Sequence, residues 1–209
     1  MTPPLIKWLT VKDRHRLHSR VNSILIATSA FAIAGNVIQN GEFRFRGIED
    51  NAIFACSQAN LQIVLPIYGP LQAALKGILP DEIELLVVQK IAPPQGMVPF
   101  TEATRRVYLN LVAPYFVEYF ETYKSLLRQH KGGRKHWPKT WRFGWAVRNA
   151  ISHDNRIRID DEDEPSVTWY GLSYTSQNNG HELFIDDLYP GDLILLMFEM
   201  NQELDAVIA

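Results

Sequence analysis

Cysteine is almost absent from this sequence, since Cys56 is the only one among 209 residues. A single thiol cannot form an internal disulfide, so packing must hold the fold, and a reducing compartment is the simplest setting for such a chain. We therefore expect Cys56 to be a buried, inert thiol. We also expect the protein to be cytoplasmic.

A long uninterrupted apolar run is missing as well. A membrane-spanning helix needs about 20 strongly apolar residues, and polar side chains interrupt the most apolar stretch, 21–38. These are Asn22, Ser23, Thr28, Ser29 and Asn36. Basic residues before this stretch resemble the start of an export signal, but the stretch begins late in the chain. We interpret it as a buried helix and expect no membrane partner.

The whole-chain charge gives no electrostatic case for nucleic acid, because the formal net charge is −2 and the pI is near 6.3. A polyanion site would have to come from local charge. Such a segment exists: residues 124–148 contain only basic charges, whereas residues 160–164 are all acidic. The four basic residues that we expect to form an approach surface for RNA are Arg134, Lys135, Lys139 and Arg142. A solvated helix end with the same charges is the alternative.

The common enzyme motifs are also missing. The chain has no H-E-x-x-H, C-x-x-C, P-loop, G-x-G-x-x-G or G-x-S-x-G pattern, so zinc, nucleotide-triphosphate and ordinary serine chemistry have no motif to support them. His15 and His18 have helical spacing, but arginines flank them and we read them as exposed basic surface. Asp186-Asp187 is read as a solvated loop. We expect no metal and no cofactor.

Apolar periodicity predicts a mainly α protein. In the first half it predicts a long helix over 15–39, a second helix over 50–64 and short helices over 71–79 and 82–91. Residues 1–7 read as an extended lead-in and residues 43–48 as a loop or a weak strand.

In the second half, a long helix over 101–129 should continue through Pro114 with a kink. Another helix should begin at Pro138, and a last one should run from Pro190 to Val207. Alternating segments between residues 156 and 186 predict a small β-hairpin. The expected architecture is a single domain over 1–209, an up-and-down helical bundle with a hairpin insertion, about 156–186, before its last helix.

The helix that begins at Pro138 carries the most informative residues. Trp137, Trp141 and Trp145 recur every four positions, which is typical of a core stripe, although tryptophans can also stack on bases. Arg148 lies seven residues after Trp141 and therefore on nearly the same face. His153 should lie at the C-terminal end of this helix.

Arg148 and His153 together could cleave RNA without a metal. In that reaction a base takes the proton of a 2′-hydroxyl, an acid protonates the leaving 5′-oxygen, and a cation stabilises the phosphorane. On one helix the two residues are five apart, about 140° around the axis, so they are poorly placed to hold the same phosphate. A two-fold dimer would bring two arginines and two histidines into one cleft.

The hexapeptide Arg148-Asn149-Ala150-Ile151-Ser152-His153 resembles the R-x-x-x-x-H signature of the HEPN superfamily, which usually has a polar residue after the arginine. The run from Asp187 to Ile194 is similar to bacterial members that carry a hairpin before the final helix. The resemblance implies an α-helical bundle that dimerises along the motif helices. It also implies metal-independent RNA cleavage in a toxin–antitoxin or phage-defence system. Arg148 and His153 would then be catalytic, and Asn149 would support them.

Three hypotheses therefore stay open. The first is a homodimeric endoribonuclease that acts on RNA, with an antitoxin or defence protein as a further partner. The second is a non-catalytic HEPN-like module that binds nucleotide, RNA or a partner protein. The third is a helical interaction protein in which the hexapeptide is only a helix end.

Overall fold

The structure is a computed structural model that describes residues 6–40, 51–66, 68–90, 102–160, 165–184 and 186–209. The chain divides into two compact units. The first comprises Met1–Cys56 and Asn60–Pro99, and the second comprises Ser57–Ala59 and Phe100–Ala209. The single-domain expectation stays a prediction, because two compact units can belong to one domain or to two.

The predicted up-and-down helical bundle is wrong. The described residues form five α-helices together with a four-stranded antiparallel sheet and a two-stranded sheet, so the fold is mixed α and β. The error lies in the first unit, where sequence periodicity suggested helices and the structure has strands.

The sheet of the first unit contains strands β1 (Ile6–Lys12), β2 (Asn51–Ala55), β3 (Leu61–Pro66) and β4 (Glu82–Gln89), in the order β1-β4-β3-β2. All neighbouring strands are antiparallel. In β3 and β4 every second residue is buried, as the two-residue period of a strand with one covered face requires.

The helices predicted over 50–64 and 82–91 are therefore strands, and residues 50 and 91 lie outside the described residues. The three- and four-residue spacings of their apolar side chains fit a helix, but alternate burial of Leu61, Ile63 and Leu65 shows that the two-residue period decides. Residues 43–48, predicted as a loop or a weak strand, lie outside the described residues, as do residues 1–5 of the lead-in.

Two helices belong to the same unit: α1 (His18–Asn40), close to the helix predicted over 15–39, and α2 (Tyr68–Leu75). Helix α1 packs against α2, β2 and β4. His18 is buried, and its Nε2 lies 2.7 Å from the backbone oxygen of Pro80, which corrects the reading of this side chain as exposed surface. Cys56 is buried, as expected. Among the described residues no helix is long and apolar enough to cross a membrane.

The second unit is built on three helices: α3 (Glu102–Lys131), α4 (Lys139–Ser152) and α5 (Pro190–Ile208). Helix α3 contains Pro114, and it packs against both α4 and α5. Trp141 is fully buried, and its indole N–H donates to the backbone oxygen of Met200 at 2.8 Å. A Cβ on Gly144 would lie 2.6 Å from the Met200 sulfur, so the close approach of α4 to α5 depends on this glycine.

A two-stranded hairpin precedes α5, formed by β5 (Val167–Trp169) and β6 (Leu172–Tyr174). Its turn passes through Tyr170 and Gly171, both with positive φ. The hairpin therefore lies within the range predicted for it, about 156–186. Arg156 and Glu182 form a separate antiparallel bridge.

Candidate functional site

Arg148 and Asn149 line a cleft between α3 and α4, with a volume of about 250 Å³. Four basic side chains, one carboxylate and aromatic rings surround it. The lining residues are Phe120, Glu121, Lys124, Ser125, Arg128, Arg134, Trp137, Trp145, Arg148 and Asn149. The cleft has the size and polarity to hold a phosphate beside a base or ribose.

The cations of the cleft are partly neutralised by Glu121. The Arg148 Nε lies 2.7 Å from Glu121 Oε1, and each side chain of this pair is about one third exposed (30% and 33%). Lys124 donates to the other carboxylate oxygen of Glu121. Burial alone would raise the pKa of Glu121, but Lys124 and Arg148 together lower it below its ordinary value. Glu121 is thus a carboxylate that neutralises part of the positive charge of the cleft.

One wall of the cleft is aromatic. The Arg134 guanidinium lies 3.6 Å from the centroid of the Trp145 ring, a close cation–π contact. Trp137 is half-buried, and its ring meets that of Trp141 edge to face at 6.4 Å. Of the tryptophan row, only Trp141 is fully buried in the core. Trp137 and Trp145 are left to face the cleft.

Asn149 contacts Arg148 in the structure. Its Oδ1 accepts a hydrogen bond from Arg148 Nη1 at 3.3 Å, so together with Glu121 it fixes the direction of the guanidinium. The resemblance implies that Asn149 supports Arg148 and His153. Within this chain it orients the arginine.

His153 lies at the other end of the motif and does not line the cleft. It is the C-terminal cap of α4, with φ −131° and ψ 58°, and its backbone N–H donates to the backbone oxygen of Ala150. The side chain of His153 is exposed. A second groove, of about 620 Å³, adjoins this helix end between Ile151, Ser152 and the middle of α3. Arg148 and His153 of one chain therefore lie on different surfaces.

The four residues predicted as an RNA approach surface are divided by the structure. Arg134 lines the cleft, while Lys135 and Lys139 are exposed outside it and Arg142 is half-buried. Lys124 and Arg128 take their place in the cleft. They lie four apart on α3, a spacing that puts both on one helix face, and this signal was present in the basic stretch 124–148.

A second cluster of titratable groups was missed by the sequence analysis. His181 Nε2 lies 2.5 Å from Asp187 Oδ2, and the Tyr174 hydroxyl donates to the same oxygen at 2.5 Å. Burial and the neighbouring Asp187 raise the pKa of Tyr174. Asp187 was read as a solvated loop residue, but its side chain is only 21% exposed and its carboxylate takes part in both of these hydrogen bonds. No local motif marks this cluster, because its members are six to seven residues apart.

The described part of the chain contains no group of three histidine, cysteine or acidic side chains arranged to hold a metal ion. Comparison with known proteins gives no further guidance: no family model, no curated protein and no solved structure matches this chain. The case for a function therefore depends on the residues themselves.

Proposed function

We propose that this protein is a metal-independent endoribonuclease of HEPN type that acts as a homodimer, in a toxin–antitoxin or phage-defence system. The observation that carries the proposal is the cleft around Arg148. It combines four cations with two half-buried tryptophans, and single-stranded RNA offers phosphates to the first and bases to the second.

The reaction follows from the chemistry of the motif. The 2′-oxygen attacks phosphorus while a base takes its proton, the bond from phosphorus to the 5′-oxygen breaks, and an acid protonates that oxygen. The products are a 2′,3′-cyclic phosphate and a 5′-hydroxyl. Arg148 stabilises the charge on the phosphorane, as a fixed cation aimed at a developing anion does, and His153 transfers a proton. Asn149 holds Arg148 in place.

The separation of Arg148 from His153 is the reason for a dimer. Within one chain the guanidinium is held in the cleft by Glu121, while the imidazole lies at the exposed end of α4. A two-fold axis beside α4 would bring the arginine of one copy towards the histidine of the other. RNA phosphate would then replace Glu121 on Arg148.

One observation favours a second candidate, a non-catalytic module that binds RNA, nucleotide or a partner protein. Arg148 already has a carboxylate partner, Glu121, at 2.7 Å, and His153 does not line the same cleft. The cleft alone could bind a phosphate without any proton transfer.

Incubation of the purified protein with single-stranded RNA in EDTA separates these candidates. We expect cleavage that leaves 2′,3′-cyclic ends and falls by about 10²-fold or more in His153→Ala. His130→Ala is the matched control, because His130 is also exposed and does not line the cleft. RNA binding that depends on Arg148 without cleavage favours the binding module. If the protein neither cleaves nor binds RNA, the hexapeptide is only a helix end.

A further inference from the structure

We propose that His181, held by Asp187, is a second catalytic residue that transfers a proton in the same reaction. This inference rests on the proposed function. Two proton transfers are needed, one from the 2′-hydroxyl and one to the leaving oxygen. The structure gives each chain two exposed histidines close to the end of α4, His153 and His181.

The hydrogen bonds of His181 suit proton transfer. Its Nε2 is bonded to Asp187 Oδ2 at 2.5 Å and its side chain is 41% exposed. An imidazole that donates from Nε2 leaves Nδ1 to accept or deliver a proton. Within the described residues Nδ1 has no hydrogen bond. A carboxylate on one ring nitrogen that fixes the direction of the other is the usual arrangement of a catalytic histidine.

The backbone places His181 beside the end of the motif helix. The N–H of Ile157 donates to the oxygen of His181, and the N–H of Leu183 donates to the oxygen of Asn155, both at 2.9 Å. Asp154 and Asn155 have φ of 55 and 62 and turn the chain from α4 into this pairing. His153 precedes Asn155 by two residues, so their Cα atoms are within about 8 Å. Both histidines therefore flank one turn.

Buried groups keep Asp187 and His181 in place. The Tyr174 ring stacks on Phe143 of α4 at 5.9 Å and meets the His181 ring at 6.0 Å. The backbone oxygen of Asp187 accepts hydrogen bonds from the hydroxyl of Ser57 and from the side-chain amide of Gln58. Tyr174 and Asp187 are thus positioning residues, and they connect His181 to the core of the helix that carries Arg148.

Two other charged side chains near His181, Glu182 and Arg156, bond to groups other than the imidazole. Glu182 forms an ion pair with Arg106 at 3.6 Å, and the Arg156 guanidinium donates to the oxygen of Gly180 at 2.7 Å. Asp187 is the acidic group that faces the imidazole. The same chain therefore supplies one histidine oriented by a carboxylate, His181, and one at a helix end, His153.

In the reaction the two histidines act on opposite oxygens. One imidazole takes the proton of the 2′-hydroxyl as the bond from the 2′-oxygen to phosphorus forms. The other, protonated, gives its proton to the 5′-oxygen as the bond from phosphorus to that oxygen breaks. No oxidant, reductant or co-reactant is needed, and each turnover moves one proton onto one ring and one off the other.

The closing experiment uses the full chain and compares His181→Gln with Asp187→Asn and with the His130→Ala control. Glutamine can still donate to Asp187 from its amide but cannot transfer a proton. We expect His181→Gln to lower kcat by about 10²-fold with RNA affinity and thermal unfolding unchanged. Asp187→Asn should lower kcat less and alter the pH profile. A His181→Gln variant as active as the control would contradict the proposal, because it would show that His181 only holds the loop.

A substrate with sulfur in place of the 5′-bridging oxygen assigns the two ends, since a thiolate leaves without protonation. We expect it to restore cleavage in one of His153→Ala and His181→Gln and not in the other. If this substrate restores cleavage in both variants or in neither, the assignment of one histidine as the base and the other as the acid is wrong. If the wild-type protein cleaves no RNA at all, the proposed function fails and this inference fails with it. If the wild type cleaves and only His181→Gln is neutral, this inference fails alone.

Discussion

The cleft around Arg148 and the exposed end of α4 around His153 and His181 differ in what their residues can do. The cleft contains permanent cations held by a carboxylate and by aromatic rings, which suits the binding of phosphate. The helix end contains exposed imidazoles beside a partly buried hydrogen-bond network, which suits proton transfer. The groups suited to anion binding and those suited to acid–base chemistry therefore lie on separate surfaces of one chain, and the cleavage that we propose requires both surfaces to meet one phosphate.

The largest expected effect comes from removing the cation of the cleft. Arg148→Ala should lower kcat/KM for RNA cleavage by about 10³-fold, because it removes the cation that we propose to stabilise the phosphorane. Arg148→Lys should recover only part of this loss, since an ammonium cannot reproduce the two-pronged contact of a guanidinium. Arg142→Ala is the control, as Arg142 lies on the same helix but not in the cleft. Equal activities of Arg148→Ala and Arg142→Ala would refute the role of the cleft.

The next effect concerns stability and the helix end. Asp192 is buried, and its Oδ2 accepts hydrogen bonds from Ser57 N, Ser57 Oγ and Tyr189 N at 2.8, 2.9 and 2.8 Å. Ser57 in turn donates to the backbone of Asp187. Asp192→Ala should lower the free energy of unfolding by about 2 to 4 kcal/mol, measured by urea titration. Asp186→Ala, an exposed aspartate nearby, should leave it nearly unchanged.

The same aspartate gives a pH dependence of known sign. Burial raises the pKa of Asp192, although Ser57 and Tyr189 oppose this shift. The folded state then binds a proton more tightly than the unfolded state, so this group's contribution to stability is greatest at low pH. It decreases as the pH rises from the ordinary aspartate pKa, about 3.9, through the raised folded value. Asp192→Asn should remove that decrease, and an unchanged pH slope would contradict the assignment.

The smallest effect separates the cleft from the remaining basic surface. Lys124→Ala combined with Arg128→Ala should weaken RNA binding and reduce the slope of log affinity against log salt by about one, as expected when one or two phosphate contacts are lost. Lys135→Ala combined with Lys139→Ala removes the same charge outside the cleft, so its slope should change less. A larger change in this second pair would place RNA on the predicted approach surface instead.

The sequence predicted the second unit better than the first. Helices α3, α4 and α5 lie close to the predicted ranges. Long apolar stripes mark all three, and prolines mark the starts of α4 and α5. In the first unit, β3 and β4 contain runs of consecutive apolar residues such as Leu85-Leu86-Val87-Val88, which fit a helix or a strand equally well. Only pairing with a neighbouring strand, a long-range contact, decides between them.

The site was predictable in its motif and unpredictable in its surroundings. Arg148, Asn149 and His153 are close in sequence, so a local pattern could select them. Glu121 comes from another helix, and the partners of His181 are contributed by the hairpin and by the segment before α5. Contacts between segments that far apart depend on packing, which no local spacing encodes.

The most direct test of the account is a mixing experiment with two inactive variants. Arg148→Ala and His153→Ala, each purified alone, should cleave RNA at background rates. After subunit exchange, half of the dimers would carry both variants and one intact composite site, so the mixture should regain roughly a quarter of wild-type activity. A mixture that has exchanged subunits, as shown by mass measurement of differently tagged copies, and stays at background would contradict a site shared between two chains.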